Sequence, residues 1–157
     1  MHAVTTPENL LNRINTRKSP SQIIDTLTCT QYGTEVYQLH LDEGYKAIID
    51  QAMSDLLPIW KKFVPGKLDV VVLVIRHVKG LLVKAEPGTV ELIVPTKEPQ
   101  RALEVVEKKS TELITQGNWS THDVFFVDVD ENDAHVSRGF AQPLTEPVEY
   151  ISIRVQK

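Results

Sequence analysis

The chain has one cysteine, Cys29, in 157 residues. A lone thiol cannot close an internal disulfide, so a secreted disulfide scaffold is excluded. The opening, MHAVTTPENLLNR, lacks a basic segment followed by an apolar core, so no signal peptide is expected and a cytoplasmic location is the default. Without a secretory signal, the sequon Asn118-Trp119-Ser120 reads as a chance match. No apolar run approaches the roughly 20 residues that a membrane helix needs. There is no surplus of base either. Seventeen Lys and Arg stand against 21 Asp and Glu, a net charge of −4, which sets nucleic acid aside as the main partner. G-x-S-x-G, H-E-x-x-H, C-x-x-C and a Gly-rich phosphate loop are all missing, as are internal repeats. Nothing in the motifs names a family or a reaction.

What is present is an ordinary globular composition, 41% apolar and 24% charged. A chain of this length buries about 68–70% of the surface it exposes unfolded, so one domain over 1–157 is expected without metal or disulfide support. The strongest signal is the run Leu68–Val78 (LDVVVLVIRHV), apolar at even and odd positions alike. It reads as a central strand covered on both faces.

Around it, Thr6 and Pro7 can start a short helix over 6–18 with Leu10, Leu11 and Ile14 on its apolar face. Ser19 or Ser21 can start a second carrying Ile23, Ile24 and Leu27, and Gly33 ends this section. Alternation predicts a strand over Glu35–Leu41. Three-and-four spacing predicts a long helix over Asp42–Val64, broken or kinked at Pro58. Strands follow over Leu81–Glu86 and around Val90, Leu92 and Val94, joined by a type II turn at Glu86-Pro87-Gly88-Thr89. A second long helix is expected over Glu98–Gln116, with Leu103, Val106, Leu113 and Ile114 as its stripe and Glu104–Lys108 as an i,i+4 pair. Strands at His122–Val129 and Glu149–Val155 enclose a loop over 130–147. This order predicts an α+β, ferredoxin-like sandwich. A mostly antiparallel sheet would carry two long helices on one face, with residues 1–33 a helical extension packed on a 34–157 core. The open sheet face then needs cover, which points to the N-terminal helices, the 130–147 loop or a homodimer.

Two clusters are candidate sites. Asp128, Asp130 and Asp133 lie in a stretch that starts like a calcium loop, but Asp133 stands where that loop needs Gly and Gly139 where it needs Glu. A looser divalent-metal site is the surviving reading, against a solvated acidic loop. Residues 120–150 carry seven acids and one base, Arg138, which offers an acidic patch to a basic partner. Arg76, His77 and Lys79 cluster at the first hairpin and could bind a phosphate or carboxylate, against a turn that merely keeps an edge soluble. Cys29 and His40 stand alone, with no partner for catalysis. The first functional reading is a non-enzymatic binding or regulatory domain working through protein or small-ligand contacts. A small metal-assisted hydrolytic enzyme and an anionic small-molecule sensor are the alternatives.

Overall fold

A computed structural model describes residues 1–18, 20–29 and 33–157, with the backbone alone at 28 and 29. The chain runs β1 (His2–Thr5), α1 (Glu8–Thr16), β2 (Ile23–Cys29), β3 (Thr34–Leu39), α2 (Glu43–Asp55), α3 (Leu57–Phe63), β4 (Val70–Lys79), β5 (Leu82–Lys84), β6 (Thr89–Pro95), β7 (Glu104–Lys109), β8 (Glu112–Asn118), β9 (Asp123–Val129), β10 (Val136–Phe140) and β11 (Val148–Gln156). The strands form two sheets. The wide one has seven strands in the order β1-β9-β6-β11-β4-β3-β2, and the narrow one has four in the order β5-β10-β7-β8. Every recorded strand pair is antiparallel.

The ferredoxin-like expectation is therefore overturned. The molecule is a mostly antiparallel β-sandwich with three short helices on its outer side. Three layers enclose two cores. Leu10, Ile14, Tyr45, Ile48, Ala52 and Trp60 of the helices pack on Val74, Leu92, Phe126, Ile151 and Ile153 of the wide sheet. On the sheet's other face, Ile75, Ile93, Phe125, Val127 and Tyr150 meet Val105, Val136 and Phe140 of the narrow sheet. Strand alternation sends successive residues to the two cores, so β6, with all seven residues buried, turns Val90, Leu92 and Val94 to the helices and Glu91 and Ile93 to the narrow sheet.

The second long helix is absent. Residues 104–118 form the β7–β8 hairpin instead. Val105, Val106, Thr111, Ile114 and Thr115 are β-branched and favour strand. The turn places Ser110 at φ +56, which no helix contains. The predicted helix at 23–27 is likewise strand β2. Its suggested start at Ser19 lies outside the described residues. The 130–147 segment contains β10, whose inward positions Val136, Arg138 and Phe140 alternate with Ser137 and Gly139. Thr6 does not cap α1; Pro7 holds that position and the Thr6 hydroxyl donates to the Thr121 carbonyl at 2.8 Å.

The long helix over Asp42–Val64 is α2 and α3, divided at Leu56, two residues before Pro58. Asp42 caps it by accepting from the Tyr45 N–H at 2.9 Å. Gly88 takes φ +70 in the turn expected at 86–89, and the Thr89 hydroxyl donates to the Glu86 carbonyl at 2.7 Å. The run Leu68–Val78 is β4, fifth of seven strands rather than the middle one, which is β11. Its cover is also partial. Val74 and Ile75 are buried by this chain's own layers, but Val71 is 61% exposed. Among the described residues no helix is long and apolar enough to cross a membrane.

Candidate functional site between the sheets

The site grows from the inward face of β11. Its alternate residues Val148, Tyr150, Ser152 and Arg154 become more polar toward the end of the strand. Val148 and Tyr150 sit in the inter-sheet core. Ser152 is fully buried, and its hydroxyl donates to Glu91 Oε1 at 2.5 Å. Glu91 projects from the paired position region of β6, and Arg138 comes across from β10 in the narrow sheet. The guanidinium grips the carboxylate with two parallel bonds, Nε to Oε2 at 2.8 Å and NH2 to Oε1 at 2.6 Å. Its third nitrogen donates to the Tyr150 hydroxyl at 3.2 Å. Burial opposes the charge on Glu91, but Arg138 outweighs it and holds the carboxyl at about 2. Burial likewise opposes the charge on Arg138, and Glu91 keeps its pKa above the ordinary arginine value. The Tyr150 phenol is raised by burial and stays neutral.

Arg154 is the fifth member. Its Nε lies 3.5 Å from Glu91 Oε1, and its NH1 lies 3.8 Å from Glu86 Oε1 at the rim. Glu91 Oε1 already accepts from Arg138 and Ser152, which occupies both of its lone pairs. Arg154 therefore feels the charge of Glu91 without a hydrogen bond, and among the described residues its buried Nε has no hydrogen-bond partner.

Beside this cluster the two sheets part. The narrow sheet ends in β5, three residues long, while the wide sheet continues past it through β3 and β2. The overhang leaves a cleft of about 460 Å³. Leu27, Val36, Leu73, Ile75 and Val83 form its apolar walls, and Tyr150, Arg154, Lys84 and Glu86 supply the polar groups.

Of the residues read from the sequence, the basic trio is split between two faces of the wide sheet, and the acidic trio is gathered at one loop around lysines. Strand alternation separates Arg76 from His77. Arg76 lies on the helix side and is bound to Glu149 through Nε at 2.9 Å and NH2 at 2.7 Å. His77 is fully buried between the sheets, edge-on to Phe140, and among the described residues neither ring nitrogen has a hydrogen-bond partner. Burial, reinforced by Arg138, lowers its pKa from 6.5 to about 4. Lys79 is exposed at the end of β4. The acids are claimed by lysines. Lys157 Nζ reaches Asp128 at 2.7 Å and Asp130 at 3.1 Å, while Lys109 Nζ holds Asp133 at 3.0 Å. Among the described residues no group of three His, Cys, Asp or Glu is placed to hold a metal. The thiol of Cys29 lies outside the described side chains, and His40 is exposed.

The inter-sheet cluster was hidden in the sequence. Glu91 and Arg138 are 47 positions apart. The one available signal was a charge at the centre of an otherwise apolar strand, the Glu of Thr-Val-Glu-Leu-Ile-Val, which must find an opposite charge if buried.

No family model and no curated protein matches the chain. Some solved structures share its outline. A Cupin_2 domain of an XRE family transcriptional regulator from Enterobacter cloacae is 17% identical over 54% of this chain and 79% of that one, with a TM-score of 0.34. Vicilin from Corylus avellana (hazelnut) is 14% identical over 84% of this chain, with a TM-score of 0.45; the match spans only 31% of the vicilin chain. The viral collagen prolyl hydroxylase from Paramecium Bursaria Chlorella virus-1, in its 2OG complex, is 13% identical over 79% of this chain and 78% of that one, with a TM-score of 0.46. None of the three reaches a TM-score of 0.5, so none bears on what this chain binds or does.

Proposed function

We propose that the chain is a non-enzymatic binding domain that takes a small, apolar-bodied ligand into the cleft between its sheets. The observation that carries this reading is the cleft itself. Its volume falls within the 300–1,000 Å³ common for small-molecule sites. Its walls are largely aliphatic, and Arg154, Lys84, Glu86, Tyr150 and Thr26 supply its polar groups. The wide sheet overhangs the narrow one there, so the apolar surface of Leu73 and its neighbours stays partly open. A ligand that covers this surface recovers hydrophobic free energy that folding leaves unused.

The reading predicts a dependence on chain length. Each buried CH₂ is worth about 0.8 kcal/mol, or about a fourfold gain in affinity. Hexanol, octanol and decanol should therefore bind with stepwise increasing affinity, read by calorimetry and by thermal shift. Leu73→Trp, which fills the cleft from its floor, should abolish the series while the protein still melts cooperatively. Equal affinities along the series, or an undiminished series in Leu73→Trp, would exclude the cleft as the site.

A further inference from the structure

We infer that the ligand of this cleft carries a single carboxylate, received by the terminal nitrogens of Arg154 in exchange for Glu86; this rests on the cleft being the binding site. Arg154 has an anchored side and a free side. Its buried Nε is held toward Glu91 by charge alone, because Glu91 Oε1 is saturated by Arg138 and Ser152. Its NH1 lies 3.8 Å from Glu86, too far for a hydrogen bond. Among the described residues the Arg154 side chain donates no hydrogen bond. A guanidinium that is 22% exposed, with no side-chain hydrogen bond among the described residues and on the wall of an apolar cleft, is an open donor site for a planar oxyanion.

Glu86 is a weak incumbent. Its side chain is 61% exposed and loses little by turning to water. The charges also fit a monoanion. Inside the cluster Arg138 is neutralised by Glu91, which leaves Arg154 as the uncompensated cation once Glu86 departs. Lys84 is the other cation at the cleft, but it is exposed on the rim and strongly hydrated.

The test compares hexanoate, octanoate and decanoate with the alcohols of equal length by calorimetry at neutral pH. In the wild type each carboxylate should bind about tenfold or more tightly than its alcohol. Arg154→Met should erase that preference and leave the alcohol affinities in place. Arg154→Lys, which keeps the charge and loses the planar fork, should recover only part of it. Glu86→Gln, which removes the competitor, should strengthen carboxylate binding several-fold without affecting the alcohols, and Lys84→Met should change little. Alcohols that bind as well as carboxylates, or a preference that follows Lys84 and survives Arg154→Met, would overturn the inference and leave the cleft standing. Failure of both series to bind would remove the cleft reading and this one together. Circular dichroism confirms that each variant is folded; Glu86→Gln, at an exposed rim position, keeps the test decisive if an Arg154 variant is not.

Discussion

Arg138 and Glu91 form a charge pair with both side chains only 2% exposed, bonded twice to each other and once each to Tyr150 and Ser152. Such a pair is costly to break, because the survivor is left as a buried, unpaired charge. Arg138→Met should cost about 3–5 kcal/mol in urea-melt stability. The double variant Glu91→Leu with Arg138→Met should lose less than either single change, since neither member of the pair is stranded and Arg154, partly exposed, keeps Glu86 nearby. Losses that simply add would sink this account of the pair. His77 gives a separate, pH-dependent term. Its folded pKa of about 4 lies below its unfolded value of 6.5, so the unfolded chain binds the extra proton between those limits. Stability from this group is complete above pH 6.5 and falls as pH drops toward 4, by about 3 kcal/mol in all. His77→Leu should flatten that window and leave the further loss below pH 4.5, where the unfolded chain protonates Glu91 while the folded carboxyl stays ionised down to about 2. Chemical denaturation carried from pH 7 to below pH 4 distinguishes the two.

At the scale of elements, the β7–β8 turn holds Ser110 at φ +56, a conformation that costs a non-glycine residue about 1–2 kcal/mol. Its backbone N–H donates to the His135 carbonyl at 2.8 Å, a bond any residue can make. Ser110→Gly should thus raise stability by up to about 1 kcal/mol, after the glycine's greater unfolded-state entropy is offset. An unchanged or lower melting temperature would refute it. This turn also explains why the hairpin was illegible. Glu104 and Lys108, with Leu113 and Ile114, satisfy helical spacing, and the β-branched residues, the Ser110 turn and the packing of Val105 in the inter-sheet core override it. By contrast, α2 and α3, β6, β9 and β11 were legible, because caps, Pro58 and long alternating or doubly apolar runs act locally. β10 was not, because Arg138 occupies an inward position and disguises the alternation. The charged cluster showed only as the lone Glu91 in an apolar strand, because its members come from three strands that meet only once the sheets stack.

For the whole molecule, the decisive inequality is seven strands against four. It leaves an overhang, and the overhang makes the cleft. The acidic loop has a different fate. Lys157 and Lys109 already balance Asp128, Asp130 and Asp133, so titration with Mg²⁺, Mn²⁺ or Ca²⁺ should give no saturable heat and no rise in melting temperature. A saturable, stabilising response would restore a cation role for those three acids. The placement of β11 has a kinetic consequence. It lies between β4 and β6, each formed far earlier in the chain, and pairs with both along almost its whole length. Until Val148–Gln156 arrives, the two halves of the wide sheet expose raw hydrogen-bonding edges to any other chain nearby. Refolding should accordingly be slow, in milliseconds to seconds or longer, and most vulnerable to aggregation at high protein concentration.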